Sequence, residues 1–254
     1  MSGLLPDLDP YTERRERVFW VLATIFIGAM TLLNVIGITR FIQVGPLSLA
    51  IGVLPYPLTF LCTDLIGELY GKKRASFVVW LGFLLNLFVI AVIYFGFHLP
   101  AVPTDSQPPW QMLFLAQPVA LANGTVLSGE IETFHIIYAC TMGSVFASMV
   151  AYLAAQFCDV YLFHFWRDLT KGKHLWLRNN FSTLISQLVD SVMVISITFG
   201  LIWWRGEITL ERVMFLMGSN YLFKAAAALA DTIPFYLGVH FLQKYIGAAD
   251  VKKN

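Results

Sequence analysis

Six long apolar stretches constrain this chain more than any other feature of its sequence. Each is long enough to cross a hydrocarbon layer of about 30 Å as an α-helix. Hydrophobic residues make up 57% of the chain and charged residues only 13%, and a soluble domain could not bury so much apolar surface. The pattern therefore predicts an all-α, polytopic membrane protein with six transmembrane helices. These helices are expected near residues 18–38, 47–69, 76–97, 134–158, 181–204 and 213–242.

The positions of lysine and arginine predict how the helices are oriented. Of the 17 basic residues, 13 precede the first apolar stretch or follow the second, fourth and sixth. Because such residues concentrate on the cytoplasmic side of a membrane, both termini are expected in the cytoplasm. The predicted organisation is a cytoplasmic segment at 1–17, one transmembrane domain at 18–245 and a cytoplasmic tail at 246–254.

Charge and cysteine content exclude several classes of protein. The net charge is +1 and the chain has no long basic run, so no nucleic-acid partner is expected. Cys62, Cys140 and Cys158 lie in apolar segments without the spacing of a zinc site or of a disulfide framework. The chain also lacks the HExxH, GxSxG and Walker A motifs. We therefore expect no metal, no cofactor and no enzymatic activity.

The longest connection, residues 98–133, is expected on the external side of the membrane. It contains an apolar patch, Trp110–Ala116, which is too short to cross a bilayer. We interpret this patch as an interfacial or re-entrant piece.

The second apolar stretch carries two acidic residues and two prolines. Asp64 and Glu68 are four residues apart and share a helix face. Pro55 and Pro57 prevent a continuous helical hydrogen-bond ladder on the external side. Broken helices beside acidic groups are typical of transporter binding sites. The alternative for Glu68 is an ordinary helix-end charge, paired with a lysine of the Lys72–Lys73 pair.

Polar residues also occur in the fourth and fifth stretches. Asp159 lies near the cytoplasmic end of the fourth, where we expect it to meet Arg167 or water. Close helix packing accounts for the small and polar residues of the same face. In the fifth stretch, Gln187 and Asp190 lie deeper. An ionisable group near mid-bilayer is costly, which favours a functional or buried polar role for Asp190.

The sixth stretch contains Asn220 and Lys224, which are helical neighbours. A lone lysine at this depth is untenable, so Lys224 should pair with a carboxylate of another helix. Asp190 and Asp64 are the candidates. The alternative is an ion pair that only fixes how the helices pack.

Four segments together resemble the vitamin uptake transporter family, whose members are queuosine precursor transporters. They are Pro57–Ala75, Ala147–Phe163, Leu177–Ser191 and Tyr221–Lys224. The resemblance covers about residues 18–245 and implies import of 7-cyano-7-deazaguanine or 7-aminomethyl-7-deazaguanine across the inner membrane for tRNA queuosine salvage. Gly143 stands where family members often carry an arginine.

The residues fit such a substrate chemically. A carboxylate can accept the adjacent N–H donors of a deazaguanine side by side, and a flat heterocycle favours an aromatic surface. The expected substrate-binding residues are two bonding carboxylates, a third acid, two amides, a neutralising lysine and an aromatic ring. They are Asp64, Asp190, Glu68, Gln187, Asn220, Lys224 and Tyr56.

Three other functions remain open from the sequence. The chain could be the substrate-binding subunit of an energy-coupling-factor importer, which requires an ATPase module as partner. It could be a membrane enzyme with Asp64 and Asp190 as its catalytic pair, or an assembly protein whose polar faces bind other helices. The expected partners of an importer are its small-molecule substrate, the lipid bilayer and further copies of the chain in a homo-oligomer.

Overall fold

The computed structural model describes residues 9–37, 39–103, 106–120, 126–171 and 173–247. These residues form six α-helices, two short hairpins and two single-turn 3₁₀ segments. The helices are α1 (Pro10–Val35), α2 (Tyr56–Tyr70), α3 (Lys72–His98), α4 (Thr133–Leu169), α5 (Leu175–Trp204) and α6 (Leu210–Ile246). The strands are β1 (Phe41–Val44), β2 (Leu47–Ala50), β3 (Met112–Ala120) and β4 (Val126–Glu132).

Within the described ranges, five helices are long and apolar enough to cross a membrane: α1, α3, α4, α5 and α6. The predicted helical, polytopic architecture is confirmed to that extent. The second predicted span is different, because α2 has only 15 residues and is therefore about 22 Å long.

The external part of the second predicted span is not helical. Leu47–Ala50 pairs antiparallel with Phe41–Val44, and a 3₁₀ turn at Ile51–Val53 follows. The helix begins only at Tyr56, after Pro55, and Pro57 occupies its first turn, where a missing N–H costs nothing. The prolines therefore break the span as predicted, but a hairpin replaces the expected helical turns.

Other helices enclose α2, so its polar side chains are shielded from lipid. It packs against α1, α3 and α6, and Thr59, Thr63 and Asp64 are all buried. Gly71, at φ +84°, ends α2 and begins the reversal into α3, a backbone conformation that other residues rarely adopt.

One end of the bundle collects segments from three parts of the chain. The Tyr70 hydroxyl donates to the Arg15 carbonyl oxygen at 2.7 Å, and Arg74 pairs with Glu16 at 2.7 Å. Gly247, after α6, lies beside Tyr11. The start of α1, the α2–α3 turn and the end of α6 thus lie at one end of the bundle, and the orientation of that end in the membrane stays a prediction.

The connection between α3 and α4 contains the antiparallel strand pair β3–β4, which includes Met112–Ala116 of the apolar patch, and the interfacial or re-entrant position of that patch stays a prediction. Met112 pairs with Glu132 and Leu115 with Gly129. Pairing of β3 with β4 satisfies the backbone groups that a non-helical segment would otherwise leave open.

Candidate functional site

A cavity of about 140 Å³, here called the main cavity, lies among α1, the β1–β2 hairpin, α2, α4, α5 and α6. Most of its wall is apolar, with contributions from Leu33, Phe41 and Phe199. Apolar walls with a few convergent polar groups are the usual form of a small-molecule site. The polar groups include Asn34, Tyr56, Ser148, Asp190, Asn220 and Lys224.

The charged part of the main cavity is a buried ion pair between α5 and α6. The ammonium nitrogen of Lys224 donates to Oδ2 of Asp190, and both side chains are almost fully buried. The prediction that Lys224 pairs with a carboxylate of another helix is confirmed, and of the two candidates it is Asp190. Such a pair tolerates burial only when good geometry and further partners offset the loss of hydration.

Tyr56 provides one of those further partners. The Lys224 ammonium lies 3.8 Å from the centroid of the Tyr56 ring, so the ring face helps to stabilise the cation. Pro55 and Pro57 flank this tyrosine at the beginning of α2. The interruption of the second span therefore places an aromatic ring directly against the ion pair.

Two buried polar atoms near the ion pair have no hydrogen-bond partner among the described residues: Gln187 Oε1 and Ser191 Oγ. Gln187 lines a smaller cavity together with Tyr56 and Lys224. Unpaired buried polar groups are rare in folded proteins. These atoms are therefore available to form hydrogen bonds with a ligand.

A network of amides that begins at Asn34 and Ser148 in the wall of the main cavity was not predicted from the sequence. Ser148 Oγ donates to Asn34 Oδ1 at 2.9 Å, and Asn34 Nδ2 donates to Asn86 Oδ1 at 2.8 Å. Asn86 in turn donates to the Gly82 carbonyl oxygen at 2.9 Å. The available signal was a single asparagine inside each of two otherwise apolar stretches, which is costly in a membrane without partners.

Asp64 lies apart from the main cavity, although the sequence placed it with Asp190. It lines a separate small cavity with Asp231, Asn179 and Thr183. The Asp64 carboxyl is also within hydrogen-bonding reach of Asp159 on α4. We call Asp64, Asp159 and Asp231 the acidic cluster. A catalytic pair of Asp64 and Asp190 is not supported, because the two side chains line different cavities.

The expectation for Asp159 is wrong. Its side chain is 1% exposed and accepts a hydrogen bond from Ser186 of α5 at 3.1 Å. Arg167 instead lies 3.4 Å from Asp168. The spacing along α4 showed the polar face, but only the packing of α5 against it shows that Asp159 points inward.

Glu68 forms an ion pair that the sequence did not suggest. Arg178 of α5 donates to Glu68 Oε2 at 2.7 Å, so the alternative pairing with Lys72 or Lys73 is not seen. The Arg178 guanidinium also lies 5.1 Å from the centroid of the Phe163 ring. Glu68 is not among the described residues of the main cavity.

Two further expectations concern groups around these sites. Among the described residues, no group of three or more His, Cys, Asp or Glu side chains could hold a metal ion.

The surroundings of Gly143 lie outside the part of the chain whose side chains the structure describes.

Comparisons with known proteins identify relatives over most of the chain. Residues 50–238 match the family described as "Putative vitamin uptake transporter". A "Probable queuosine precursor transporter" from Bacillus subtilis (strain 168) is 26% identical over 207 residues, which cover 81% of this chain and 78% of that relative. No solved structure matches the chain.

Proposed function

The chain belongs to the vitamin uptake transporter family, and we propose that it imports queuosine precursors, 7-cyano-7-deazaguanine or 7-aminomethyl-7-deazaguanine, across the inner membrane. The imported bases would serve salvage into tRNA queuosine. Membership of a transporter family indicates a transport role rather than catalysis. The relative from Bacillus subtilis carries the substrate class in its name.

The observation that supports this substrate class is the main cavity with its ion pair. Lys224 engages Oδ2 of Asp190, but a carboxylate offers about four lone-pair positions. Asp190 therefore keeps capacity to accept from the adjacent N–H groups of a deazaguanine. Those bonds are strengthened because the carboxylate is charged and water is excluded.

The remaining predicted residues have roles that fit the same ligand. Tyr56 offers an aromatic face and a hydroxyl beside Asp190 at the cavity wall, and Asn220 lines the same space. Gln187 lies next to it in the smaller cavity. Lys224 holds the Asp190 side chain in place, so the acceptor is positioned before the substrate arrives.

Asp64 and Glu68 belong to a different part of the proposed route. Both follow Tyr56 along α2, toward the end of the bundle where Tyr70 meets Arg15. We assign that end to the cytoplasm, so that both termini are cytoplasmic and α2 with its hairpin forms a sixth crossing. The main cavity then faces the external half, and Asp64 and Glu68 line the path inward.

Exchange by the purified chain tests this function. The full-length protein is reconstituted in liposomes loaded with unlabelled 7-cyano-7-deazaguanine, and entry of the labelled base is measured. We expect exchange without any ATPase module, which the energy-coupling-factor alternative forbids. Asp190→Asn should reduce exchange by about tenfold or more, whereas the exposed Asp168→Asn should leave it unchanged. Absence of exchange by the wild-type protein contradicts the proposal.

Uptake in cells provides an independent check of the substrate. Cells unable to make queuosine precursors should accumulate labelled deazaguanine and form tRNA queuosine only when they express this chain. Equal uptake with and without the chain would contradict the assignment.

A further inference from the structure

Three carboxyl groups of α2, α4 and α6 converge without a basic partner among the described residues. Asp64 and Asp159 are buried and lie within hydrogen-bonding reach of each other. Asp231 shares the small cavity beside Asp64. In the main cavity, by contrast, the acid Asp190 is neutralised by Lys224. The acidic cluster therefore needs a different source of positive charge.

A second feature of the small cavity indicates what that source is. Asn179 lines the cavity with Asp64 and Asp231 and is 3% exposed. Its Oδ1 is buried and has no hydrogen-bond partner among the described residues. The amide oxygen of Asn179 and ionised carboxylates at Asp64 and Asp231 would all be acceptors. The cavity therefore lacks a donor for this oxygen among the described side chains, which a proton on a neighbouring carboxyl group or a water molecule would supply.

The closeness of Asp64 to Asp159 and the small volume of the cavity beside Asp64 together favour the proton among small cations. An ionised carboxylate can only accept hydrogen bonds, so two carboxyl groups can be bonded to each other only when one of them carries a proton. The cavity holds about 10 Å³, which is room for about one water molecule. Such a molecule could pass a proton between Asp64 and Asp231.

Charged and titratable groups on the surrounding elements do not neutralise the cluster. On α5, Arg178 is held by Glu68, and the groups facing Asp159 are the hydroxyls of Ser182, Thr183 and Ser186. On α6, Lys224 is held by Asp190. Around the far end of α2, the charged residues from α1 and α3 gather at Tyr70; they are Arg15, Glu16 and Arg74. Cys62 and Cys158 are the nearby thiols.

We propose that the acidic cluster is a proton-binding site that couples inward substrate movement to inward proton movement. The inference rests on the proposed transport function. A proton from the external side adds to one carboxylate of the Asp64–Asp159 pair, forming a carboxylic acid. The same proton leaves to the cytoplasm when the substrate has passed, which restores the carboxylate.

Lumen acidification in proteoliposomes tests the coupling on the unaltered protein. The wild-type chain is reconstituted with a pH-sensitive dye inside, and 7-cyano-7-deazaguanine is added outside. We expect the lumen to acidify on addition of the base, and labelled base to accumulate when the outside is acidic. A protonophore should abolish that accumulation. Accumulation that follows a sodium gradient, without lumen acidification, overturns the proposal.

A variant separates coupling from substrate binding. Asp159→Asn should lower proton-driven accumulation at least about tenfold more than it lowers exchange, because the amide cannot release a proton. Asp168→Asn, an exposed acid of the same helix, is the matched control and should behave as wild type. Equal loss of accumulation and exchange in Asp159→Asn overturns the coupling role. A wild-type protein that exchanges the base in preloaded liposomes but shows no lumen acidification during net uptake overturns this inference alone, whereas absence of exchange overturns the proposed function as well.

Discussion

The main cavity and the acidic cluster each contain a buried aspartate, but the surroundings of the two aspartates differ. Asp190 is paired with Lys224 and lies beside a cavity of about 140 Å³. Asp64 is packed against Asp159, and the cavity beside it is about 10 Å³. A neutralised acid beside ample space suits an organic ligand. Acids that lack a basic partner in a narrow space suit a proton. The two regions should therefore respond differently to mutation.

The largest effect is expected from breaking the ion pair of the main cavity. Lys224→Met leaves Asp190 buried without its partner and should destabilise the protein by about 3–5 kcal/mol. Thermal unfolding in detergent measures this loss. The double variant Asp190→Leu, Lys224→Met should recover most of the stability but no exchange. Recovery of exchange would show that the pair serves packing alone.

A hydroxyl at the acidic cluster should affect stability without affecting substrate affinity. Ser186 lies 3.1 Å from Asp159 Oδ1 and 2.9 Å from the Thr183 carbonyl oxygen. Ser186→Ala removes this shared hydrogen bond between helices and should cost about 0.6–1.5 kcal/mol. The Kd for 7-cyano-7-deazaguanine, measured by titration calorimetry, should stay within about twofold. A large loss of affinity would mean that the two regions form one site.

A substitution in the main cavity, Tyr56→Phe, should affect substrate affinity more than stability. The Tyr56 hydroxyl is buried within reach of Asp190, so Tyr56→Phe should alter stability by no more than about 1 kcal/mol. If the hydroxyl bonds the substrate, Kd should rise by about five- to tenfold, the equivalent of one hydrogen bond. Unchanged affinity would remove the hydroxyl from the site. Ser186→Ala provides the control with the opposite pattern.

The smallest effect is expected outside both regions, at the start of α1. Asp9 accepts hydrogen bonds from the hydroxyl and backbone amide of Thr12, which lower its pKa. Capping is therefore complete above the pKa of the unfolded chain and is lost as pH falls through the lower folded pKa. Asp9→Ala should lower Tm slightly at neutral pH, while Asp9→Asn, which still caps, should not. Any change in exchange would contradict a purely local role.

Features set by hydrophobicity along the chain were predictable. The positions of α1, α3, α4, α5 and α6 follow from long apolar runs, and the break before α2 follows from Pro55 and Pro57. The need of Lys224 for a partner on another helix followed from the cost of burying a charge. These inferences depend on one segment at a time, which is why the sequence sufficed.

Features set by contacts between segments were not predictable. Asp159 looked like a helix-end charge because its spacing gives no information on how α5 covers it. Glu68 found Arg178, which is 110 positions away, rather than the adjacent lysines. The β3–β4 hairpin was missed because its apolar patch is compatible with either a short helix or a strand. Asn34 and Asn86 each stood out as a polar residue in an apolar stretch. Nothing in the sequence indicated that the two side chains form a hydrogen bond with each other.

The joint at Gly71 has a mechanical consequence. A single residue at φ +84° connects α2 to α3, so the two helices have no slack between them. The same α2 carries Tyr56 at one extremity and Asp64 along its length. A tilt of α2 about Gly71 would move the Tyr56 ring and the Asp64 carboxyl group together. The same tilt would also displace the start of α3. Lengthening the joint by inserted residues would disconnect that motion.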